Sequence, residues 1–185
     1  YKILSISDGT EEKNRVYIQT TDSNEFLPVI DELIGEYAYL TSLDNILFFY
    51  STENASNGKV VTLTIQDGAF VWNDLIAESM LPIRSVNIIN KKSLVTYLVD
   101  TLSKVKTFDL NGSFLEDFQF AEAGTIGGFY GGIDDEETYF NFTNYITPSK
   151  IYKLNLNTME YALFWEEELT NFDSSDFTTK LWSVS

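Results

Sequence analysis

The chain has 185 residues, 44% of them hydrophobic and 15% aromatic, enough for one domain with a real core and too apolar for a disordered segment. Its formal net charge is −16, from 28 acidic and 12 basic residues, which repels nucleic-acid backbones and anionic lipid, so neither nucleic acid nor membrane is expected as a partner. Cysteine and histidine are both absent, which removes disulfides, thiol chemistry, His-ligated metal and a Ser-His-Asp triad from this stretch, and the lack of thiols points to a cytoplasmic setting.

Tyr1 to Gly9 reads as a strand running into a turn, with no initiating Met and no leader, so the chain is expected to be cut from something longer. Arg15-Val-Tyr-Ile-Gln19 is a short alternating strand opened by a basic residue. Residues 23–35, with Pro28 in their middle, read as a connection. From residue 36 onward a four-strand unit repeats. Glu36-Tyr-Ala-Tyr-Leu-Thr is followed by the apolar strand Ile46-Leu-Phe-Phe-Tyr-Ser. A strand opened by Lys59 comes next, then Ala69-Phe-Val-Trp. The next copies run through Arg84, Leu94, Lys104 and Ser113, and through Thr125, Thr138, Lys150 and Met159. The basic openers Arg15, Lys59, Lys104 and Lys150 stand 44, 45 and 46 residues apart.

Asp44-Asn45, Asp67-Gly68 and Asn111-Gly112 sit at the turns, where Asn and Gly reach positive φ at little cost. Four antiparallel strands in each 40–50 residues is the pattern of a β-propeller blade. The expected fold is all-β, a partial propeller of about three and a half blades. A half blade covers 1–22, whole blades cover 36–74, 82–120 and 124–165, and an exit segment follows at 171–185.

The stretch 124–132, Gly-Thr-Ile-Gly-Gly-Phe-Tyr-Gly-Gly, invites a phosphate-loop reading. Gly127 and Gly132 have the Walker spacing, but Ile133 and Asp134 stand where Lys and Ser or Thr are needed. No trio of these glycines fits a dinucleotide fingerprint either, and no helix follows. The glycines are expected in a first strand, where neighbouring backbones come close. Asp134 to Glu137 are consecutive rather than alternating, so they read as an exposed turn and not as a calcium loop. No nucleophile elbow is present, and no carboxylate pair is singled out by spacing. Catalytic, metal and cofactor sites are therefore all expected to be absent. The sequons at Asn54, Asn111 and Asn141 carry little weight. The aromatic content also admits a small glycan-binding propeller, reported by Trp72, Trp165 or Trp182.

Residues 124–152, GTIGGFYGGIDDEETYFNFTNYITPSKIY, resemble without gaps the last propeller blade of the prolyl oligopeptidase family. The matching residues are Gly124, Thr125, Gly128, Gly131, Asp135, Glu137, Tyr139, Phe140, Phe142, Thr143, Tyr145, Pro148, Ile151 and Tyr152. Leu4-Ser-Ile, Asn14-Arg-Val-Tyr and Glu36-Tyr-Ala-Tyr-Leu-Thr are similar to earlier strands of that propeller. Residues 172–179 look like its re-entry into the catalytic domain.

The resemblance implies a seven-bladed propeller covering an α/β-hydrolase domain in a cytosolic serine peptidase that cleaves short peptides after proline. On that reading the chain is a non-catalytic part of the propeller and controls peptide access. Its partners are the hydrolase domain, the remaining blades and short peptides, with self-association through open blade faces. The alternative is a stand-alone propeller used as an interaction scaffold. The family places a cavity-facing Cys at the position held here by Gln19, which makes Gln19 the one candidate substrate-facing residue.

Overall fold

The computed structural model describes residues 1–167 and 177, and the exit segment expected at 171–185 lies outside the described residues but for Phe177. Among the described residues, fifteen strands and no helix build four antiparallel sheets, one three-stranded and three four-stranded, in strict chain order. This is a partial β-propeller. The contacts divide the chain into two units, residues 1–86 with 110–113, and residues 87–109 with those from 114 onward.

The first unit holds the sheet of β1 (Lys2–Ser7), β2 (Asn14–Gln19) and β3 (Leu27–Ile30), and the sheet of β4 (Tyr37–Leu43), β5 (Ile46–Ser51), β6 (Lys59–Gln66) and β7 (Ala69–Ile76). β3 corrects the sequence reading, which placed a connection at 23–35. Pro28 sits on an edge strand opposite Tyr17, at a register shift, where its missing N–H breaks no ladder. The first sheet therefore extends from Lys2 to Ile30 and is more than the half blade expected at 1–22.

The core of this unit joins the two sheets through Val16, Ile18, Tyr37, Leu47, Phe49, Val61 and Leu63. Trp72, partly buried, packs against this core on the Tyr37 and Phe49 rings at 5.4 and 5.3 Å.

The third sheet comprises β8 (Ile83–Ile89), β9 (Lys92–Val99), β10 (Leu102–Asp109) and β11 (Phe114–Asp117). The fourth comprises β12 (Thr125–Tyr130), β13 (Glu137–Thr143), β14 (Lys150–Asn155) and β15 (Tyr161–Glu166). The core of the second unit is an aromatic cluster. Phe118, Phe129, Phe140, Phe142 and Tyr152 are buried together, with Phe120 and Tyr161 packed against them. Phe140 stacks on Tyr152 at 5.3 Å, and Phe118 meets Phe140 edge-on at 5.4 Å.

The basic residue that opens each repeat has a fixed role. Lys59, Lys104 and Lys150 each reach across to an acid on the next strand, Asp74 at 2.9 Å, Asp117 at 3.3 Å and Glu166 at 3.5 Å. Arg15 pairs with Asp8 at 3.2 Å. Such half-exposed pairs are each worth about 0–1 kcal/mol. Their contribution is to register in the three four-stranded sheets, where the same pair recurs at the same corner, whereas Arg15 turns back to the acid after β1.

Candidate functional site

The residues singled out by sequence do not come together. Gln19 ends β2, lies opposite Lys2 and is 8% exposed. Strand alternation puts it on the sheet face of Leu4 and Tyr17, opposite the face through which Val16 and Ile18 enter the core.

The glycine stretch forms β12 and the turn after it. A Cβ on Gly124 would meet the Phe142 ring at 2.5 Å and the Thr143 carbonyl oxygen at 2.6 Å. Gly128 has φ +79° and sits in the register shift between Gly127 and Tyr130. Three of the four acids of the run at 134–137 have partners. Asp135 Oδ2 accepts the Gly132 N–H at 2.6 Å, Asp134 pairs with Lys91 at 3.5 Å, and Glu137 pairs with Lys153 at 2.7 Å. Among the described residues, no group of three or more His, Cys, Asp or Glu is placed to hold a metal.

What the structure builds instead is a repeated device that fixes one sheet to the next. The residue before each basic opener is Asn14, Gly58, Ser103 or Ser149. The Asn14 N–H donates to the Gly35 carbonyl at 3.1 Å, and the Asn14 side chain brackets Tyr37. Asn14 Nδ2 donates to the Tyr37 carbonyl at 3.0 Å, and Asn14 Oδ1 accepts the Tyr37 N–H at 2.6 Å. Ser103 repeats this. Its N–H donates to the Gly124 carbonyl at 3.0 Å. Its Oγ accepts the Ile126 N–H at 3.0 Å and donates to the Ile126 carbonyl at 3.3 Å. In both cases the chain held is a Gly, a spacer and an apolar residue entering the first strand of the next sheet. At the Gly58 position, which has no side chain, the preceding Asn57 carbonyl accepts the Ile83 N–H at 2.8 Å. Sequence reasoning found the basic openers and missed the clip one residue earlier. The small polar or glycine residue at that position in every repeat was the available signal.

Titration marks the same corner of the first unit. The Tyr37 hydroxyl donates to Glu53, and burial followed by that hydrogen bond pushes its pKa well up. Partial burial, with the Glu12 charge adding to it, raises the Glu36 carboxyl.

The fourth sheet differs from the second and third in having one face open. β5 and β9 are buried on both faces along most of their length, whereas β13 alternates strictly, with Thr138, Phe140 and Phe142 buried and Glu137, Tyr139 and Asn141 exposed. The open face carries Tyr130, 79% exposed, and Tyr139, with Phe164 packed edge-on against Tyr139 at 4.9 Å. Trp165 lies opposite Ile151 on the same face. Lys153 and Glu137 line a groove of about 690 Å³ at its end, and the Glu137 hydrogen bond raises the Lys153 pKa.

A family model described as the N-terminal β-propeller domain of prolyl oligopeptidase matches residues 1–166. The chain belongs to that family. A prolyl endopeptidase of Elizabethkingia miricola is 32% identical over 160 residues, 85% of this chain and 22% of the relative. A prolyl endopeptidase of Elizabethkingia meningoseptica is 30% identical over the same length and the same shares. The chain thus spans about a fifth of the curated relatives it matches. Prolyl oligopeptidase B from Galerina marginata, as apo protein, superposes with a TM-score of 0.85 at 16% identity, covering 94% of this chain and 26% of that one. A structure from a study of two prolyl endopeptidases gives a TM-score of 0.83 at 23% identity, with the same coverage. These superpositions place the four sheets in the prolyl oligopeptidase propeller fold.

Proposed function

We propose that this chain is the non-catalytic propeller part of a prolyl oligopeptidase-like serine endopeptidase, acting in the cytoplasm to restrict the active site to short proline-containing peptides. The observation that carries the reading is the family match over 1–166, which ends at the last residue of β15. The absence of histidine from all 185 residues fits a parent whose catalytic base is supplied by a separate α/β-hydrolase domain. In the parent that domain, the remaining blades of a seven-bladed ring and the peptide substrate are the partners.

The test is to express the full-length parent and assay it on proline-containing peptides of increasing length. Cleavage after proline, lost with a serine-directed inhibitor and lost with a folded protein substrate, is the expected result. No cleavage overturns the peptidase reading, and equal rates on short peptides and folded proteins overturn the access role. Within that parent Gln19 is the proposed substrate-facing residue. Gln19→Ala is expected to raise KM several-fold with kcat unchanged, the signature of lost uniform binding, in steady-state kinetics on a short peptide.

A further inference from the structure

We propose that the groove at the end of the second sheet, between Trp72 and Glu53, is a binding site for a primary ammonium group carried on an apolar stem. The groove has a volume of about 360 Å³ and lies wholly within the first unit. Strand register builds it. Tyr37, Ser51 and Lys59 stand in one row across β4, β5 and β6, and Trp72 on β7 lies opposite Leu63. Tyr37, Val61 and Leu63 belong to the core, and Trp72 packs on it partly buried. Around those rings Glu53, Lys59 and Asp74 take over from the apolar residues. The result is an aromatic wall, Trp72 against Tyr37 at 5.4 Å, with a polar rim.

The charges of the rim select the ligand. Lys59 Nζ pairs with Asp74 Oδ1 at 2.9 Å, and the Lys59 side chain is only 16% exposed, so its charge is committed to that acid. Glu53 accepts the Tyr37 hydroxyl on Oε2. Glu53 Oε1 and Asp74 Oδ2 are left without a hydrogen-bond partner among the described residues. Two carboxylates against one ammonium favour a cation over an anion. An ammonium group offers three donors for such oxygens and is attracted to an aromatic face beside them, while an apolar stem lies along Trp72.

The repeat itself does not call for these side chains. At the Ser103 clip Ile126 takes the place that Tyr37 has at the Asn14 clip. An aliphatic residue is thus enough for the fold at that point, and the Tyr37 hydroxyl with its carboxylate partner is an addition made in this repeat. Burial, and then the hydrogen bond to Glu53, raise the Tyr37 pKa, so the hydroxyl stays the donor of that bond and holds Glu53 at the edge of the groove.

Fluorine NMR of the full-length parent, labelled with fluorotryptophan and with the Trp72 signal assigned from Trp72→Phe, tests the site. Phenylbutylamine is expected to shift the Trp72 signal saturably. Phenylbutanol, the same body without the charge, is expected to bind about tenfold more weakly. Glu53→Gln keeps an acceptor for the Tyr37 hydroxyl, and is expected to weaken the amine about fivefold and leave the alcohol unchanged. Asp74→Asn is expected to weaken the amine about threefold.

A Trp72 signal that does not shift saturably overturns the proposal. So does equal affinity for the amine and the alcohol, and so does amine binding unchanged in both carboxylate variants. If Trp72→Phe does not fold, photo-crosslinking with a diazirine-bearing phenylbutylamine makes the same decision, and labelling confined to segments outside residues 37–74 overturns the proposal. Peptide cleavage by the same preparation is read separately. A parent that cleaves after proline without binding the amine at Trp72 loses only the groove, and one that binds it without cleaving loses only the peptidase reading.

Discussion

Glu36 and the glycines of β12 show how single residues are set by their surroundings. The Glu36 carboxyl has a raised pKa because partial burial, with the Glu12 charge adding to it, disfavours its charged form. A group raised in the folded state contributes stability below its unfolded pKa and loses it as pH rises through the folded value. Glu36→Gln is therefore expected to raise the melting temperature at pH 7. The gain should vanish below about pH 4, where glutamate is protonated in either state. Thermal denaturation of both proteins across pH 3–8 checks the sign. Just before β12, Gly124 has no room for a methyl group, whereas at Gly127, within it, the nearest atom is Asn141 Oδ1 at an ordinary 3.5 Å. Gly124→Ala is expected to cost about 2 kcal/mol by overpacking. Gly127→Ala should stay within about 0.5 kcal/mol. Urea midpoints of the two variants separate a glycine needed for close approach from one that is not.

Strands and turns were legible in the sequence wherever a local rule decided them. Alternation gave β2, β6, β10 and β14, and the basic openers of β6, β10 and β14 support their register because each pairs with an acid across the ladder. β3 was not legible. Its four residues contain a proline, and only the presence of β2 beside them makes an edge strand of that segment. The clips were half legible. Small polar residues before each opener are visible in the sequence, but their partners lie 21–23 residues away, in the chain entering the next sheet. Asn14→Ala leaves the buried N–H and carbonyl of Tyr37 without their side-chain partner, and is expected to cost about 2–3 kcal/mol. Ser103→Ala, at a half-buried clip with weaker geometry, should cost about 1 kcal/mol. Chemical denaturation followed by Trp72 fluorescence orders the two, and equal effects would mean that the clips do not act through burial.

Across the whole chain, the open face of the fourth sheet sets solution behaviour. Tyr139, Phe164 and Trp165 are 42%, 63% and 47% exposed on it. The isolated 185-residue chain is expected to self-associate at high protein concentration. The variant carrying Tyr139→Lys and Trp165→Lys is expected to stay monomeric in light scattering. Monodisperse wild-type chain at the same concentration would count against an open docking face.

By itself, the sequence determined the repeat, the fold class and the family. Each of these rests on local order, in strand alternation, turn residues and the motif from Gly124 to Tyr152. It also determined what the stretch cannot do, since chemistry that needs histidine or cysteine has no residue to perform it. Only the tertiary structure decided which of the equivalent positions are filled. Ser103 and Ser149 are the same residue at the same point of the repeat, yet one holds a neighbouring strand and the other meets solvent. The difference lies in what packs against each sheet, and that is decided by the neighbouring sheet rather than by the strand's own residues.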